Sequence, residues 1–118
     1  METKTKIDSI LAAIGKDIKH HEDTADKAMM KLELLKISSE EYKEANKTYG
    51  INLYISCYLR HVEDHIAKNR DIKEAENIMR FHSYQQKSKG ALDDGDFISL
   101  GQAAVAVTLG DYVNRFFA

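Results

Sequence analysis

A stripe in the first third of the chain constrains the fold most. Steps of alternately four and three residues from Ile7 reach Leu11, Ile14, Ile18, His21, Ala25, Ala28, Leu32 and Leu35. All but His21 are apolar. A 3.5-residue repeat of this length belongs to a coiled-coil seam or a long bundle helix. It predicts a helix over about residues 5–36, roughly 48 Å long, with Thr3 or Thr5 as its cap. Such a helix is not stable alone, so its stripe must meet another helix. Gly15 inside it costs about 1 kcal/mol relative to alanine. A buried imidazole at position 21 needs a hydrogen-bond partner. A hairpin turn near residue 38 sets it opposite about position 55, which points to Asn52 or Ser56. A polar seam residue also fixes helix register.

The break falls at 37–39. Ser38 with Glu41 has capping-box spacing, and a second helix follows over about 39–67, antiparallel to the first. Its stripe is Ile51, Ile55, Leu59, Val62 and Ile66, with Leu53 and Cys57 on the opposite face. Residues 51–59 carry no charge, so the centre of this helix is apolar nearly all round. That pattern predicts cover on two sides. The first helix supplies one side, and the C-terminal half or a second subunit supplies the other. Cys57, among apolar neighbours, reads as a buried, inert thiol.

A third helix is expected over about 72–87, capped by Asn69 or Asp71. Its stripe is Ile72, Ala75, Ile78, Met79 and His82, flanked by Phe81 and Tyr84, and Gly90 suits its stop. Residues 91–96 read as a turn. Their aspartates lack calcium-loop spacing and a glutamate at the twelfth position. Ser99 with Gln102 is a second capping-box spacing. The apolar run 103–109 reads as a buried helix, with a strand as the alternative. Gly101, Ala103, Ala104, Ala106 and Gly110 would let another helix approach closely. Phe116 and Phe117 must dock or stand as an apolar patch. The fold expected is all-α: a long antiparallel helical hairpin with two shorter helices packed on it. At 118 residues, one domain spanning 1–118 is the natural size.

Composition excludes several function classes. One cysteine rules out an internal disulfide framework and a cysteine-built zinc site. No run approaches the ~18 apolar residues of a membrane helix. Charges at Lys4, Lys6, Asp8, Lys16 and Asp17 interrupt any secretory signal. A soluble, cytoplasmic protein without a membrane partner is the expectation. Net charge is -2, and no segment is strongly basic. Lys68, Arg70, Lys73, Arg80, Lys87 and Lys89 form at most a modest patch, so nucleic acid is an unfavoured partner. No P-loop, dinucleotide-binding glycine pattern or nucleophile elbow is present.

Two histidine features remain. His61 and His65, four apart, share a helix face, a spacing that suits two ligands of one metal ion. The Glu-x-x-His elements of di-iron bundles are absent, and Asp17 with His20 is a single Asp-x-x-His. No metal or other cofactor is therefore expected. The same segment, Arg60-His61-Val62-Glu63-Asp64-His65, resembles the motif of the HEPN ribonucleases, which are all-α bundles of similar size. The resemblance covers these six residues. It implies a composite site across a dimer. Arg60 would stabilise phosphorane charge, His65 would act as acid or base, and His61 would be the polar neighbour.

The leading expectation is a small non-enzymatic interaction protein acting through helix faces. It would be an adaptor, a chaperone-like partner, an immunity protein or an inhibitor, and it would self-associate as a homo-oligomer. Its lysine-rich composition resembles that of small accessory proteins of bacteria and their phages. Leu53, Cys57, Phe81, Tyr84, Phe116 and Phe117 are the expected interaction surface. The alternatives are the ribonuclease, with Arg60, His61 and His65, and a nucleic-acid-binding accessory protein.

Overall fold

The computed structural model of the chain describes residues 2–90 and 97–118. They form four helices: α1 (Glu2–Leu34), α2 (Glu40–Asn69), α3 (Ile72–Gly90) and α4 (Phe97–Phe117). No strand occurs among the described residues, so the run 103–109 is helical. The acidic turn 91–96 lies outside them. α1 and α2 form the long antiparallel hairpin, and α3 pairs with α4 as a shorter one. The molecule measures 54 × 28 × 21 Å. Its long axis is set by α1, whose 33 residues span about 50 Å at 1.5 Å per residue.

The caps differ in detail from the spacing rules. α1 begins at Glu2, ahead of Thr3 and Thr5, so neither is its cap. Ser39, not Ser38, caps α2: its hydroxyl accepts from the Tyr42 N–H at 3.1 Å and donates to the Lys36 carbonyl at 2.7 Å. α2 ends on Arg70 in the left-handed region, φ 46. Asp71 then caps α3 by accepting from the Glu74 N–H at 2.9 Å. Ser99 sits buried inside the first turn of α4 rather than ahead of it.

The core fills the lower half of the long hairpin. Ile7, Ile14 and Ile18 of α1 meet Ile55, Leu59, Val62 and Ile66 of α2 and Val105, Leu109 and Val113 of α4. Ile10, off the stripe, is fully buried as well. A single seam describes one neighbour, and the base of α1 has more than one. At Gly101 α4 packs close against α2. A Cβ there would stand 2.7 Å from Cδ1 of Tyr54. Ser83 of α3 donates to the Ala106 carbonyl at 2.7 Å, tying α3 to α4.

Candidate interaction surface

The seam histidine has the partner its register implies. His21 Nδ1 lies 2.7 Å from Asn52 Oδ1. Ser56 turns instead to its own helix and donates to the Leu53 carbonyl at 3.0 Å. Beside His21, the Tyr112 hydroxyl of α4 donates to the Asp17 carboxylate. Burial, and then that bond, push the Tyr112 phenol well above its ordinary range. These contacts lock the centre of α1 to both hairpins.

The six residues expected to form one surface fall in different places. Leu53 and Cys57 are exposed in a shallow groove between α1 and α2, with Met29, Tyr49 and Arg60. The expectation of a buried thiol at Cys57 is thus corrected. The apolar centre of α2 is covered by α1 and by α4 at Tyr54, and Cys57 falls at the edge of the α1 contact, in a groove open to solvent. Phe81 and Tyr84 are exposed on α3. Phe116 and Phe117 are half-buried against the core, with the Lys6 ammonium 4.6 Å from the Phe117 ring. They pack at the base of the bundle and stay partly open to solvent.

Arg60 and His65 do not converge within one chain. Arg60 faces α1 and pairs with Glu22 at 2.8 Å. His65 lines a groove of about 630 Å³ between α2 and α3, with His61, Phe81 and His82. His61 and His82 stand 6.1 Å apart, centroid to centroid. The Tyr58 hydroxyl and His82 Nδ1 share a hydrogen bond of 2.6 Å. Burial, and then the rings of His61 and His65, hold the His82 imidazole below its ordinary value. Among the described residues no three histidine, cysteine or carboxylate side chains are placed to hold a metal ion. Two cations of the modest basic patch are already paired, Arg70 with Asp8 at 2.6 Å and Arg80 with Glu76 at 2.8 Å.

A site that motif reading missed lies at the turn end of the long hairpin. There α1 and α2 run on past the main core, and a groove of about 730 Å³ opens between them. Its floor is Ala28, Leu35 and Ala45, and its walls are charged. Leu34 of its lining is 87% exposed, and Met30 on α1 and Ile37 in the adjoining turn are 66% and 77% exposed. The available signal was helix length: α1 and α2 have 33 and 30 residues, whereas α3 and α4 have 19 and 21. Shorter helices cannot cover the longer pair end to end.

Among the described residues no helix is long and apolar enough to cross a membrane. Comparison with family models, with curated proteins and with solved structures finds no match for this chain.

Proposed function

We propose that this chain is a non-enzymatic interaction protein that receives a partner protein at the turn end of its α1–α2 hairpin. One observation carries the reading: a groove floored by apolar side chains opens to solvent, its lining residue Leu34 is 87% exposed, and Ile37 in the adjoining turn is 77% exposed. Single exposed apolar residues are ordinary, but a cluster around a groove is the usual mark of an association site. These residues contribute little to folding, so their role lies outside the chain's own core. An adaptor, a chaperone-like partner and an inhibitor all use such a surface. The ribonuclease alternative rests on Arg60 and His65, which line different grooves and draw no support from a single chain.

The test is the double substitution Leu34→Glu and Ile37→Glu. Melting temperature should stay within about 2 °C of the parent, since surface changes of this kind cost little. Capture of a partner from extract should fall by about tenfold or more. Capture that survives both substitutions would sink the reading.

A further inference from the structure

The walls of the tip groove are divided by sign. α1 contributes Lys27 and Lys31, and α2 contributes Glu40, Glu41 and Glu44. The groove also lies in line with α4. Steps of seven residues lead from Asp17 to Thr24 and Lys31, and from His21 to Ala28 and Leu35. Seven-residue steps keep to one face of a helix. In the lower half that face sets Asp17 and His21 beside Thr108 and Tyr112 of α4. At the tip the same face forms the groove, lined among the described residues by α1 and α2 alone. The trough that holds α4 therefore continues beyond it.

We propose that the tip groove binds one amphipathic helix of a partner protein, laid along the hairpin axis as an extension of the α4 layer. Its acidic edge lies over Lys27 and Lys31, and its basic edge lies over Glu40, Glu41 and Glu44. This inference rests on the interaction reading above and adds the chemistry of the partner. From Thr24 to Leu34 α1 spans about 16 Å, about three helical turns. The alanine floor admits the close approach of a helix whose apolar stripe faces down. Opposite charges across the rim set direction as well as partner, because turning a helix end for end exchanges its edges. A second copy of this chain fits less well. Both α3 and α4 lie on the groove's face, so two copies meeting groove to groove must place these pairs at opposite ends. That arrangement sets Lys27 and Lys31 against the same lysines and the glutamates against the same glutamates.

Three labelled helical peptides of about four turns test the proposal, all with the same leucine–alanine face. The first carries glutamate along one edge and lysine along the other, the second lysine on both, and the third glutamate on both. Fluorescence anisotropy at low salt measures affinity, and amide chemical shifts locate binding. The mixed-edge peptide should bind about tenfold tighter than either of the others and shift amides within residues 24–48. Lys27→Glu with Lys31→Glu should make the all-lysine peptide the tightest. Equal affinities, no binding, or shifts confined to other residues overturn the proposal. So does a doubled mass by light scattering with concentration-dependent shifts at the groove, because a second copy then occupies it. None of these outcomes touches the interaction reading, which falls only if capture survives Leu34→Glu and Ile37→Glu.

Discussion

Gly15 and Gly101 both lie inside helices, yet alanine should act on them in opposite directions. Helix propensity favours alanine over glycine by about 1 kcal/mol at either position. At Gly15 the added carbon meets only Glu63 Oε2 at 3.4 Å, the far end of a flexible side chain. Gly15→Ala should therefore stabilise the protein by about 0.5–1 kcal/mol. At Gly101 it would meet the Tyr54 ring at 2.7 and 3.1 Å. That ring cannot yield freely: its hydroxyl donates to Gln86 Oε1 at 2.6 Å, and it stacks on Tyr58 at 6.0 Å. Overpacking of this kind costs typically about 1–3 kcal/mol, so Gly101→Ala should lose up to about 2 kcal/mol net of the helix gain. Denaturant melts of the two variants check both signs. A stabilised Gly101→Ala would mean that α4 does not press on α2 at this point.

At the scale of elements, the α2–α3 contact should respond to acid. Tyr58, His61 and His65 on α2 face His82 on α3, and Asp64, Lys68 and Glu74 line the same groove. The folded His82 binds its proton less readily than the unfolded chain does. The unfolded state therefore holds more protons as pH falls through about 6.5, and stability falls with it until the folded value is passed. Melting temperature should drop between about pH 7.5 and 5.5, and His82→Gln should flatten part of that drop. An equal slope in the variant would remove His82 as its source. The same elements mark how far sequence alone reaches. The α1 stripe and the position of the turn narrowed the partner of His21 to Asn52 or Ser56, because register in an antiparallel hairpin follows from the turn, and the structure selects Asn52. The seam did not reveal Ile10, which lies off the stripe yet is fully buried in the core. The capping box pointed to Ser38 because Glu41 follows it, but the hydroxyl that meets a free N–H belongs to Ser39. Cys57 looked buried because its neighbours in sequence are apolar, whereas its neighbours in space include Arg60, Asp23 and Asp26.

Across the whole molecule, the two hairpins are unequal, and stability should follow that inequality. The base buries Ile7, Ile10, Ile14, Ile18, Leu59 and Ile66, whereas the tip buries Ala25, Ala28 and Ala45. Fully burying a branched aliphatic side chain contributes about 1.5–3 kcal/mol, and alanine contributes far less. The heptad stripe does not register this difference, since alanine and isoleucine both count as apolar positions. Nor does it tell which half of the hairpin other helices cover. The tip groove was therefore hidden in the sequence, although it follows from the mismatch in helix lengths. A binding surface at the thinly packed end is physically consistent, because elements that receive partners come from the less stable part of a fold. Native-state hydrogen exchange should read this as a gradient along the long axis. Amides at 26–34 and 42–49 should open at free energies at least about 2 kcal/mol below those at 10–18, 55–66 and 105–113. The mixed-edge peptide should raise protection at the tip and leave the base unchanged. Uniform protection along α1 would mean that the hairpin opens as one unit, and that a groove floored by alanine is as firmly held as the isoleucine core.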